Sequence, residues 1–361
     1  MTINSKNLIA GAKNLLFNCA ELAADETVLI VKELPSLGWY DAMTSATIMD
    51  VAGGFGIVPT EITVGAPDND RDPMVAEGMA AHDCTIFLAR IGDQDRFAAP
   101  ITGKKTVMSY ARTAKDLASH YGRCDHRALV GLKQAVNEVL LSAKNIRITC
   151  PLGTDLSGDV SNSVCEASGD VSVRRFPLGV PQPIEAAGMS GRVALSRYLT
   201  PTGSRTYSPP SLRIDGVVMA EISNGRIIKL LGEATMVDRI RQHHEMVAKK
   251  FDIDADAVHS FHAGIHPGSA YTIHAGEDPD RWSNSIFTNP RVLHFHTCGT
   301  QAPGEICWIL VDHTLTIDGA NLWENGRLCA YSFEETRSCL ENWPELGALV
   351  ASPSRAIGLN D

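Results

Sequence analysis

Apolar and polar positions follow two different patterns along the chain. Between residues 7 and 24 apolar side chains recur at helical spacing, and the run Val28-Leu29-Ile30-Val31 beyond Asp25-Glu26 reads as a buried strand. Asp41 is placed to cap a helix that runs to Val51 and stops at Gly53-Gly54. Strands are expected at Glu61 to Val64, Cys84 to Ala89 and Thr106 to Tyr110, and helices at Pro73 to Ala81 and His126 to Ser142. Strands separated by helices predict a doubly wound, parallel-sheet α/β domain over residues 1–145.

After residue 145 short β-like segments punctuated by Gly, Pro and Ser take over. They lie at Ile146 to Thr149, Val171 to Arg175, Arg192 to Ser196, Val217 to Ile222, Arg226 to Leu231, Ile306 to Val311, Leu315 to Ile317 and Leu328 to Tyr331. Asn224-Gly225 is a hairpin-turn signal, and one helix is expected near Met236 to Lys250. The second domain, 146–361, is therefore read as α+β, rich in antiparallel sheet.

Composition narrows the function classes. At 361 residues, 44% hydrophobic and 20% charged, the chain is of ordinary globular make-up and long enough for two domains. A net charge of -10 argues against nucleic-acid or anionic-membrane partners, and the basic stretch Arg239 to Lys250 is interrupted by Glu245. Nine cysteines, with no C-x-x-C pair, point to reduced thiols and a cytoplasmic location. The segment Met1 to Asn14 lacks a signal pattern, and no apolar run approaches the length of a membrane span. Gly53-Gly54-Phe55-Gly56 lacks the order of a dinucleotide-binding loop and reads as a turn.

Histidine is where the chemistry concentrates, since seven of the twelve lie within the 55 residues from His259 to His313. On a strand, His294-Phe295-His296 points both imidazoles to one face, as a metal pair or as two polar residues on a solvated face. His262 and His266 stand four apart, but Gly264 and Pro267-Gly268 place them on a loop. Glu305 and Cys307 share a strand face, and Asp312-His313 follows. These residues define candidate metal ligands His262, His294, His296 and Glu305, proton carriers His266 and His313, and a thiolate nucleophile Cys307. A Pro- and Gly-rich stretch from Phe176 to Arg192 suits a rigid lip over a pocket, with Glu185 and Arg192 facing substrate, and Tyr271 joins them as a candidate substrate contact. Arg192 would orient a substrate carboxylate or form a plain salt bridge.

The order of these features resembles that of the aminopeptidase T-type metallopeptidases and their relative 2,5-dihydroxypyridine 5,6-dioxygenase, over most of the chain. The likeness rests on the α/β first half, the strand and G-T-D-L turn at Ile148 to Leu156, and S-G-R-V at Ser190 to Val193. It continues through the hairpin Val217 to Leu231, the H-A-G segment at His262, and the strands around His294 and Cys307. The resemblance implies a metal site: two ions on glutamates, histidines and an H-x-D pair in the peptidases, one iron on a histidine plus H-x-D in the dioxygenase. Matched by position, His262 falls on the first iron-binding histidine, Glu305 and Cys307 on the H-x-D pair, and His294 or His296 near a peptidase histidine. Arg192 falls near a metal-binding glutamate, and since arginine cannot ligate a metal a two-metal site is not expected. A cysteine in place of the aspartate favours zinc over iron.

The expectation is a small-molecule hydrolase for an amide or nitrogen heterocycle, with one divalent metal (zinc or iron) or none, acting as a homodimer. The alternatives left open are an iron-dependent ring-cleaving dioxygenase, a metal-free enzyme using Cys307 and histidine, and a non-catalytic scaffold.

Overall fold

The computed structural model describes residues 3–67, 72–93, 96, 99–161, 172–202, 207–300 and 304–359. It divides into two compact units, Met1–Val130 with Asp170–Leu178, and Gly131–Gly169 with Gly179–Asp361.

The first unit opens with α1 (Ser5–Lys13), capped by the Asn4 side chain, which accepts from the backbone N–H groups of Lys6 and Asn7. The helix continues as a π-helical segment, Asn14–Cys19, where the buried Asn14 amide donates to the carbonyls of Gly122 and Cys124 at 2.9 and 2.7 Å. β1 (Val28–Glu33), α2 (Ala42–Gly54), β2 (Thr60–Val64), α3 (Pro73–Ala81), β3 (Cys84–Leu88), β4 (Lys105–Ser109), α4 (Ala114–Ala118) and α5 (His120–Arg123) follow. Asp41 caps α2 as expected, accepting from Thr44 N at 2.8 Å. Val28 to Val31 are all buried, as a parallel strand covered on both faces requires. α6 (His126–Ser142) begins in this unit and ends in the second.

β5 (Asn145–Thr149) and β6 (Asp155–Asp159) belong to the second unit, and β7 (Arg174–Phe176) then brings the chain back to the first. The five-stranded sheet has the order β2-β1-β3-β4-β7 and is parallel throughout. This corrects the assignment of the segment Val171 to Arg175 to the antiparallel domain, since Val107 of β4 pairs in parallel with Arg174, while Val171 itself lies outside the described residues. A three-residue strand carries too little periodicity to announce its sheet. The return of β7 also means that the division of the chain differs from a single boundary at 145/146.

In the second unit come β8 (Ile184–Glu185), β9 (Met189–Pro201), β10 (Leu212–Ser223), β11 (Arg226–Leu231), α7 (Ala234–Phe251), β12 (Val258–Ala263), α8 (Pro279–Ile286), β13 (Val292–Cys298) and β14 (Glu305–Val311). β15 (Thr314–Ile317), β16 (Ala320–Glu324), β17 (Arg327–Leu328), α9 (Glu334–Asn342) and α10 (Pro344–Ala351) complete it. Their sheet is antiparallel and curled, in the order β17-β16-β15-β5-β6-β9-β14-β13-β12-β8, with β10 beside β9 and β11 beside β10. The β10–β11 turn falls on Asn224-Gly225, both at positive φ (48° and 68°), the geometry of a type I′ hairpin. The mixed α/β architecture agrees with the sequence pattern, while α8, α9, α10 and β12 were not apparent in it.

Candidate metal site

β12, β13 and β14 lie side by side, and their register builds the site. His262 pairs with His294, Ser260 with His296, and His296 with Cys307, while Glu305 pairs with Cys298. Residues directly opposite in an antiparallel ladder share a face, and so do residues two apart on a strand. One face of the three strands therefore carries Ser260, His262, His294, His296, Glu305 and Cys307. The other face carries Phe261, Phe295 and Trp308, all fully buried, with ring centroids 5.6 Å (Phe261–Phe295) and 6.4 Å (Phe295–Trp308) apart. Burial of three aromatic rings, with about 0.5–1.5 kcal/mol more for each aromatic pair, anchors the strands from behind and holds the polar face in register.

The three imidazoles form a triangle, with ring centroids 4.3 Å (His262–His294), 5.0 Å (His262–His296) and 5.1 Å (His294–His296) apart. Phe287, just past α8, stacks on His294 at 4.1 Å with 22° between the planes. His262 Nδ1 lies 3.0 Å from the Pro181 carbonyl oxygen. His296 Nδ1 lies 3.0 Å from Glu305 Oε1 and 3.2 Å from Ser260 Oγ. Glu305 is 1% exposed, and its own carbonyl accepts from the Tyr207 hydroxyl at 3.0 Å. Gly264 lets β12 leave the site, because a Cβ there would stand 2.2 Å from the Asn289 carbonyl oxygen.

Two sets of donor atoms converge, each within 4.8 Å: His262, His294 and His296, and then His296, Glu305 and Cys307. A tetrahedral ion with nitrogen ligands at about 2.0–2.1 Å spaces its donors by roughly 3.4 Å, so small side-chain adjustments close the first set around an ion. Nitrogen donors with an adjoining carboxylate and thiol suit zinc or iron rather than magnesium or calcium. The residues present therefore fit a divalent transition-metal ion.

Other expected site residues lie outside these two donor sets. His262 stands on a strand rather than a loop, and His266 sits beyond it, fully buried, its Nδ1 accepting from Gly268 N at 3.1 Å and outside both donor sets. His313 follows the end of β14, buried against Trp323 at 6.1 Å, and burial pushes its imidazole down to about 4. Arg192 is exposed near the start of β9, paired in register with Asp155 and Glu221 and donating to the Gly153 carbonyl at 3.1 Å. It is eight positions from Thr200, the β9 residue opposite Cys307, or about 26 Å at ~3.3 Å per residue. A resident arginine at the metal is thereby replaced by a surface residue. Tyr271 is buried in an apolar cluster with Trp282, Ile286, Val292 and Ile309, the last being the register partner of His294. Glu185 is exposed on the edge strand β8, opposite Ser260, and together with Pro181, whose carbonyl meets His262, it brings the proline-rich lip to the site face.

Sequence reasoning missed Ser260, Phe287, Tyr207 and the Pro181 carbonyl. Ser260 was legible in principle, two positions before His262, had residues 258–263 been read as a strand. Pro181 lies within the proline-rich lip but was not singled out, and Phe287 and Tyr207 left no local signal.

A curled antiparallel sheet with a buried histidine, carboxylate and thiol cluster on one face, joined in one chain to a doubly wound parallel sheet, defines the class of structure. No model of a known protein family matches the chain, and no curated protein sequence matches it. Among solved structures it is similar to 2,5-dihydroxypyridine dioxygenase from Pseudomonas putida KT2440, with a TM-score of 0.61 and 13% identity over 93% of this chain and 100% of that one. It is also similar to wild-type AmpT from Thermus thermophilus, an aminopeptidase, with a TM-score of 0.50 and 12% identity over 90% of this chain and 99% of that one. These are the two kinds of protein that the sequence resembles, and at such identities the likeness is one of fold. Among the described residues no helix is long and apolar enough to cross a membrane.

Proposed function

We propose that the chain is a small-molecule hydrolase acting on an amide or a nitrogen heterocycle, with one divalent metal ion at His262, His294 and His296. The observation that carries this reading is the convergence of three imidazole donors within 4.8 Å on one sheet face. An ion bound there would supply Lewis acidity and a water activated as a nucleophile near neutral pH. The chain's own residues do the rest. Phe287 and the aromatic layer behind the strands hold the imidazoles in place, and the exposed Glu185 offers a carboxylate to a polar substrate at the open edge. Arg192 takes no part, so an anionic substrate group is not held by it.

A ring-cleaving dioxygenase is the second reading. Glu305 beside His296 favours it, because two histidines and a carboxylate are the donor set of oxygen-activating iron sites. Elemental analysis of protein purified without a metal-affinity tag, with turnover of amides and hydroxylated pyridines measured with and without oxygen, separates the two. Stoichiometric zinc and oxygen-independent turnover support the hydrolase. Iron with oxygen-dependent ring opening supports the dioxygenase. Metal-free protein whose activity is lost in Cys307→Ala overturns both.

A further inference from the structure

His296 belongs to both donor sets, and the polar contacts of its Nδ1 distinguish them. Its Nδ1 faces Glu305 Oε1 at 3.0 Å and Ser260 Oγ at 3.2 Å. A ring nitrogen that gives its proton to a carboxylate has no lone pair to offer, which leaves Nε2 as the metal-binding atom. His262 obeys the same rule through a different partner. Its Nδ1 is 3.0 Å from the Pro181 carbonyl, an oxygen that only accepts, so Nδ1 carries the proton and Nε2 the lone pair. Cys307 groups with Glu305 and His296 but not with His262 or His294.

Resting on the reading of this cluster as a metal site, we propose that one ion is bound through Nε2 of His262 and Nε2 of His296 together with His294, and that Glu305 is a positioning residue for His296 rather than a ligand. Cys307 then also lies outside the ion's own sphere. Glu305 is suited to the role because its position is set independently of any metal. The Tyr207 hydroxyl holds its carbonyl, and the Thr297 hydroxyl holds the next carbonyl along β14, that of Ile306, at 2.9 Å. Its burial keeps water out of the 3.0 Å contact with His296 Nδ1, which holds the ring with Nε2 turned toward the other imidazoles. The histidine-plus-H-x-D ligand set implied by the resemblance is thus reorganised. Its two closing positions, Glu305 and Cys307, move to an outer layer, and the H-x-H strand supplies the ligands instead.

Cobalt reconstitution of the metal-stripped full chain tests this without reference to activity. The expected result is one equivalent of cobalt and no sulfur-to-cobalt charge-transfer absorption, with an unchanged spectrum in Cys307→Ser. Glu305→Gln, whose amide oxygen still accepts from Nδ1, should retain one equivalent with affinity reduced no more than about 10-fold, and Glu305→Ala should lose about 10–100-fold. A thiolate band that disappears in Cys307→Ser, two equivalents of cobalt, or complete loss of binding in folded Glu305→Gln would each overturn the assignment while leaving a metal site in place. A wild-type chain that takes up no cobalt overturns the metal reading itself, and this one with it.

Discussion

The molecule contains two kinds of buried histidine. His262, His294 and His296 stand together on one strand face, where each ring has another imidazole about 4–5 Å away. His126, His243 and His313 are buried outside this cluster, and burial pushes each down to about 4. Neighbours adjust this differently: Arg174 adds to the effect at His126 and His244 at His243, while the Arg291 backbone and Asp312 oppose it at His313. A lone buried imidazole is accommodated by staying neutral, as one polar group among apolar ones. Three that converge have a collective use, because their ring nitrogens together form a candidate ligand set. Burial alone therefore does not mark a functional histidine, whereas convergence of donor atoms does.

Acid should expose the histidines outside the cluster most strongly. A histidine with a folded value near 4 and an unfolded value near 6.5 binds fewer protons when native, so its contribution is intact above pH 6.5 and is lost as pH falls toward 4. Each of the three then contributes a loss on the order of 3 kcal/mol, at about 1.36 kcal/mol per pH unit. Urea unfolding of the metal-free chain across this range should show the decline, and a flat profile would contradict the buried-neutral assignment.

The converging histidines should respond to substitution. His262→Ala or His296→Ala is expected to weaken zinc binding by at least ~100-fold, beyond the 10–100-fold typical of outer-shell partners. Competition with a chelator of known affinity measures it, and full metal retention in both variants would remove them from the ligand set. Smaller again is His313→Leu. It should leave zinc affinity within about twofold and flatten the acid decline by one proton's worth, read from the slope of stability against pH. The smallest effect belongs to Arg192→Ala, an exposed residue whose loss should change stability by no more than ~0.5 kcal/mol and zinc content not at all. A substantial loss of zinc there would place Arg192 back beside the site.

Legibility followed the length of the pattern. Pro73 to Ala81 and His126 to Ser142 match observed helices end to end, because periodic runs of two or more turns express their own structure. β7 escaped, since three residues cannot state which sheet they join. In the site, His294 and His296 were readable as a pair from their spacing alone. Their meeting with His262 was expected from the resemblance but followed from no local pattern, and the same holds for the position of Arg192, eight residues along β9 from the partner of Cys307. Seven histidines close in sequence suggested one site, yet three meet within one donor set.

By itself the sequence determined the two element patterns, the Asn224-Gly225 hairpin, the cap at Asp41 and the one-sided presentation of His294 and His296. These depend on dihedral preference and side-chain period, which are local. Tertiary structure alone decided that β7 joins the first sheet, that Arg192 and Glu185 part company, and that Glu305 faces Nδ1 of His296. Those outcomes depend on strand register between segments far apart in the chain, and a shift of one residue would have turned every histidine of the cluster to the opposite face.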